Sequence, residues 1–153
     1  MSAPAPALDL DTAARLRASI GKLSRRLRPT AAGAAAGLTP TRISVLFTIS
    51  RLGPIRLSEL ADEESLNPTM LSRVIADFAE SGLVTRVSDP DDRRAALVQA
   101  TAAGRKLCER MRGERNDVLG VALGALSEED RYAIEQALPV LERLAHGLKG
   151  RRG

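Results

Sequence analysis

The sequence predicts a mainly α-helical fold with a small β-wing, in which a compact middle unit is flanked by long helices at both ends. Three observations predict it. Apolar residues recur at helical spacing near both termini, as in Leu16, Ile20, Leu23 and Leu27. The pairs Thr39-Pro40 and Asn67-Pro68 each combine a capping side chain with a proline at the first helical position. Two short β-type runs, 83–87 and 95–100, enclose a turn rich in Pro and Asp.

Taken in order, residues 1–8 are Ala/Pro-rich and expected to form a flexible arm. A first helix begins near Asp9 and ends before Pro29; six cations and no acid lie between Thr12 and Gly37. Residues 31–37, all Ala or Gly, read as a small-residue loop. The helix after Thr39-Pro40 is apolar on most sides (Ile43, Val45, Leu46, Phe47, Ile49) and is expected at the centre of the core. Gly53-Pro54 stops it, Ile55-Arg56 reads as a link, and 57–63 forms a brief helix. The helix over 68–81 carries Leu71, Val74, Ile75 and Phe78 at i, i+3, i+4 and i+7. After the hairpin, Thr101 caps a helix reaching about Leu123. Ser127 opens a last helix with Leu138, Leu141 and Leu144 on its apolar face, which Pro139 is expected to kink.

Composition narrows the function. At 153 residues, 44% of them hydrophobic, the chain is long enough for one domain with a real core. The formal net charge is +4, and 20 of the 23 cations are Arg, whose planar fork suits phosphates and base edges. Three aromatics (Phe47, Phe78, Tyr132) are too few for a stacking platform for single-stranded nucleic acid. One Cys and one His argue against a Cys/His zinc site, a disulfide framework or a nucleophile–base pair, so no metal, cofactor or enzymatic activity is expected. No leader or membrane span is visible, so a cytoplasmic protein is expected.

The middle unit carries the functional signal. Two short helices, a tight turn and a hairpin make a winged helix-turn-helix, and a helix such as 68–81 fits the major groove of double-stranded DNA. Its apolar stripe turns inward and leaves Thr69, Ser72, Arg73 and Asp77 pointing away. Asn67 and Pro68 are expected to leave backbone N–H groups free for a phosphate. Arg93 and Arg94 at the hairpin tip can reach a minor groove. At least one of Asp89, Asp91 and Asp92 is expected to pair with an Arg and set the turn shape.

The segments Ile55-Arg56-Leu57-Ser58-Glu59-Leu60-Ala61, Asn67-Pro68-Thr69-Met70-Leu71-Ser72-Arg73, Gly82-Leu83-Val84-Thr85-Arg86 and Asp89-Pro90-Asp91-Asp92-Arg93-Arg94 resemble the MarR family of bacterial transcriptional regulators. The Asp-x-Arg of Asp92 and Arg94, followed by Thr101-x-x-Gly104, is the most specific part. Three positions depart from the family pattern: Arg56 stands where Thr or Ser is usual, Arg42 where Gln is common, and Ile43 where an aromatic is common. The resemblance implies a homodimer on a near-palindromic operator, with segments 9–37 and 101–149 forming the dimer and 38–100 binding DNA. It implies groove contacts from Pro68, Thr69, Ser72 and Arg73, wing contacts from Arg93 and Arg94, and Asp92 holding the wing. Leu16, Ile20, Leu138, Leu141 and Leu144 are the expected dimer-interface residues, and the resemblance implies release of DNA by a small effector, as in many members. Two alternatives stay open: a non-specific architectural DNA protein, opposed by the acidic stretch 57–66, and a redox-sensing repressor using Cys108. For Cys108 the competing reading is a small buried residue in an apolar helix stripe.

Overall fold

The computed structural model describes residues 10–92 and 95–149. The elements are α1 (Leu10–Leu27), α2 (Ala31–Ala35), α3 (Pro40–Leu52), β1 (Ile55–Arg56), α4 (Leu57–Glu64), α5 (Pro68–Glu80), β2 (Val84–Ser88), β3 (Ala96–Ala100), α6 (Ala102–Gly124) and α7 (Glu128–Lys149). The expected order of helices and hairpin is present. Residues 1–8, read as an arm, and Arg93 and Arg94 lie outside the described residues.

Two local readings change. Residues 31–35, expected as part of a loop, form a helical turn. Thr30 caps it, its Oγ1 accepting from Gly33 N at 3.1 Å, and the distant Glu114 carboxylate accepts from Ala32 N at 3.0 Å. Ile55-Arg56, read as a link, is a strand: Ile55 pairs with Val98 and Arg56 with Leu97. The antiparallel sheet therefore has three strands in the order β1-β3-β2, with Val84 opposite Ala100 and Ser88 opposite Ala96.

The chain divides into two compact units, Met1–Arg115 and Asn116–Gly153, with the boundary inside α6. The core of the first unit gathers α3, α4, α5, the sheet and the start of α6. Val45, Leu46, Ile49, Leu60, Leu71, Ile75, Phe78, Val98 and Met111 are almost wholly removed from water. Each such large aliphatic or aromatic side chain contributes about 1.5–3 kcal/mol of transfer free energy. α3 is the central helix, as its nearly all-round apolar sequence predicts.

The Thr-x-x-Gly sequence joins the sheet to α6. Thr101 Oγ1 accepts from Gly104 N at 3.1 Å and donates to Gly82 O at 2.6 Å. A Cβ on Gly104 would stand 2.1 Å from Leu83 O, so only glycine admits this approach. In the second unit, Ser127 Oγ caps α7 by accepting from Asp130 N at 3.1 Å, and α7 continues through Pro139. Ile134, Leu138, Leu141, Leu144 and Leu148 are all exposed along it.

Candidate nucleic-acid interface

The candidate interface begins at the N-terminus of α5. Asn67 Oδ1 accepts from Thr69 N at 2.8 Å, and Leu71 N donates to Asn67 O at 3.0 Å. Leu71, Val74, Ile75 and Phe78 are buried, while Thr69, Ser72 and Arg73 are exposed as the spacing predicts. Two expectations need correction. The Thr69 N–H is taken by its own cap, so α5 offers a phosphate fewer free donors than Asn67-Pro68 suggested. Asp77 does not point away: it is half-buried, and its Oδ2 accepts from Arg42 Nη2. The pair joins Asp77 on α5 to Arg42 on α3.

That ion pair ties α5 to α3, and the N-terminal turns of both helices border one cleft. Thr39, Thr41, Arg42, Asn67, Thr69 and Arg73 line a cavity of about 720 Å³. Neither helix has an acid in its first turn, so the positive ends of the two dipoles and two guanidiniums border the same cleft. Sequence reasoning missed Thr39, Thr41 and Arg42 because they lie on a different helix from the recognition residues. The repeated cap-then-proline pair was the signal that could have found them, since it marks both N-termini.

The wing is anchored from β1. Arg56 Nε and Nη2 donate to Asp89 Oδ2 at 2.7 and 2.6 Å. Asp89 is 4% exposed, and its Oδ1 accepts from Asp91 N at 2.9 Å. The Asp91 N–H, together with the Arg56 guanidinium, holds the Asp89 carboxyl below the usual carboxylate range, against the opposing effect of burial. The hydrogen bond to Asp89 in turn raises the Arg56 pKa. An Arg side chain has no acceptor with which to cap α4; instead the Arg56 backbone N–H donates to Glu59 Oε2 at 3.4 Å. Of the three family departures, Arg42 and Arg56 are thus each half of an ion pair, while Ile43 is buried in the core. Among the described residues, Asp89 forms an Asp–Arg pair that shapes the wing turn. Asp92 closes the tip with its carbonyl, which accepts from Ala95 N at 2.9 Å.

A second cavity of about 830 Å³ lies among α1, α3, the α4–α5 turn and the first half of α6. Cys108 packs nearby in the core with no exposed surface, its Sγ 3.8 Å from Leu46 O, and burial raises its pKa. That environment fits the packing reading, because a reactive cysteine needs an accessible thiolate. Among the described residues no group of His, Cys, Asp and Glu could hold a metal ion, and no helix is long and apolar enough to cross a membrane.

A profile described as the MarR family matches residues 38–96. A Mycobacterium bovis protein named as the HTH-type transcriptional regulator Mb0904 is 30% identical over 136 residues, covering 86% of this chain and 94% of its own. The transcriptional regulator Tm0710 from Thermotoga maritima is 22% identical and superposes with a TM-score of 0.77, over 94% of this chain and 100% of its own. An S. aureus MepR variant bound to an oligodeoxyribonucleotide is 16% identical, with a TM-score of 0.62 over 90% of this chain and 97% of its own.

Proposed function

The chain belongs to the MarR family of transcriptional regulators, and from that premise we propose a homodimeric repressor that binds a near-palindromic double-stranded operator and is released by a small ligand. The observation that carries the reading is the exposed N-terminal half of α5. Thr69, Ser72 and Arg73 stand on its outer face, beside Arg42 and the N-terminus of α3. In a major groove, Arg73 reads a guanine or holds a phosphate, and Thr69 and Ser72 donate to phosphates or base edges. Asn67 and Pro68 set the helix entry, and Arg93 and Arg94 supply the wing contacts. The complex of the S. aureus MepR variant with an oligodeoxyribonucleotide supports the same use of the fold.

Dimerisation is supported by apolar surface left uncovered. On α1, Ile20 and Leu23 are exposed and Leu16 half-buried; on α7, Leu138, Leu141 and Leu144 recur at helical spacing and are exposed. Water contact along two such stripes is unfavourable, and a second copy of the chain would cover both. The cavity beside α3 supports ligand-controlled release, since its wall includes α1 and the turn that leads into α5.

The test is binding-site selection from random duplexes with the purified chain, followed by fluorescence anisotropy on the selected site. A selected sequence with two inverted half-sites, held against excess unrelated DNA, is the expected result. Equal competition by unrelated DNA overturns sequence-specific recognition in favour of an architectural role.

A further inference from the structure

The first turn of α5 carries an apolar side chain that the core does not take up. Met70 is 49% exposed, although it stands on the helix whose apolar stripe (Leu71, Val74, Ile75 and Phe78) is buried. Among the described residues of the first unit outside α1, Leu52 and Met70 are the large apolar side chains left exposed. Leu52 ends α3, whereas Met70 follows Thr69 and precedes Arg73 by about one turn. A single exposed apolar residue is ordinary on a protein surface, so its surroundings decide its meaning.

Those surroundings are the cleft of about 720 Å³ between α3 and α5, which Met70 lines together with Val74, Arg42 and Arg73. Residues three and four apart on a helix are neighbours, so Met70 adjoins both the stem of Arg73 and the buried Val74. The result is a small apolar strip flanked by two guanidiniums. Among the described residues no carboxylate lines this cleft, and Asp77 beside it is engaged by Arg42. Such a surface fits a polyanion that presents an isolated apolar group. In duplex DNA the phosphates supply the charge, and the apolar element of the major-groove pattern is the C5-methyl of thymine. Methionine suits that contact, because its unbranched thioether is polarizable and adapts its shape to a neighbouring group.

We propose that Met70 is a specificity-determining residue that selects thymine by packing on its C5-methyl, within about two base pairs of the Arg73 contact. The spacing follows from geometry. Three residues of helix advance about 4.5 Å along the axis, against about 3.4 Å between successive base pairs. The contact removes the exposed thioether and one methyl group from water together. Burial of the methyl alone corresponds to about fourfold in affinity for each half-site. The selectivity needs no hydrogen bond, so it holds whether Arg73 reads a guanine or holds a phosphate. The inference rests on the reading of the chain as an operator-binding regulator.

The test is fluorescence anisotropy of the full chain on the selected operator, with each thymine replaced in turn by uracil. That exchange removes the C5-methyl and leaves the Watson–Crick edge intact. At one thymine position the wild type is expected to lose about fourfold for each half-site replaced. Met70→Ala and Met70→Gln are expected to bind the thymine and uracil duplexes of that position equally, and either variant suffices if the other misfolds. Met70→Leu, which keeps an apolar side chain of similar volume, is expected to retain the preference. Uracil without effect at every thymine, or a loss that persists in Met70→Ala and Met70→Gln, overturns the proposal. Equal binding to the operator and to unrelated duplexes overturns the operator reading and this inference with it. A specific operator indifferent to its thymine methyls overturns this inference alone.

Discussion

Arg56, on β1, and Asp89, where the wing turn begins, form a two-point ion pair that clamps the wing to the first helix of the helix-turn-helix. Both Arg56 nitrogens approach the same Asp89 oxygen, at 2.6 and 2.7 Å, and the other oxygen caps the Asp91 N–H. The start of α4 and the wing turn are thereby fixed relative to each other.

Asp89→Asn is expected to loosen the wing and lower operator affinity, with faster amide exchange in 86–91. The pH dependence has a definite sign. The folded-state pKa of Asp89 lies below its unfolded value of about 3.9. Its stabilising contribution is therefore complete above that value and is lost as pH falls through the folded pKa. Acid titration of the wild type followed by amide exchange should show this loss, and Asp89→Asn should not.

Arg42→Gln restores the residue common in the family and removes one cation from the cleft between α3 and α5. If Arg42 holds a phosphate, the slope of log affinity against log salt falls by about 1. Asp77→Asn frees Arg42 and removes a negative charge from the same surface, so binding to operator and unrelated DNA should both tighten.

Arg73→Ala distinguishes base reading from phosphate holding. A base contact loses about 1–3 kcal/mol of discrimination at one operator position, whereas a phosphate contact weakens all sequences alike. Anisotropy on the selected site and on single-base variants of it measures the difference.

Gly104→Ala puts a Cβ 2.1 Å from Leu83 O, against backbone that cannot yield without shifting the sheet from α6. A loss of about 1–3 kcal/mol or more is expected in denaturant unfolding. A change within a few tenths would mean that the sheet and helix separate more easily than this contact implies.

Leu141→Glu combined with Leu144→Glu places two charges on the exposed stripe of α7. Light scattering should report a shift toward monomer with the helical circular dichroism signal retained. An unchanged mass would move the dimer interface elsewhere.

Much of the fold was legible because its signals are short-range. A capping side chain followed by proline starts α3 and α5, and the 3, 4 and 7 spacing buries one face of α5. The Thr101-to-Gly104 motif marked the start of α6 before the reason for its glycine was visible. The turn at 31–35 was illegible because part of its support comes from Glu114, 82 residues away. The strand character of Ile55-Arg56 was hidden because two residues carry no period, and only their partner β3 makes them a strand.

The sequence by itself determined the order of the longer helices, the family, the outward placement of Thr69, Ser72 and Arg73 on α5, and the arginine excess. The tertiary structure decided which acids those arginines face. Arg56 meets Asp89 across 33 residues and Arg42 meets Asp77 across 35, while Arg115 Nε is buried with no hydrogen-bond partner among the described residues. The physical reason is one of range. Caps and periodicity act within a turn or two of helix, but a guanidinium's partner is set by which distant element packing brings within about 4 Å, where a charge pair or its absence becomes an energetic fact.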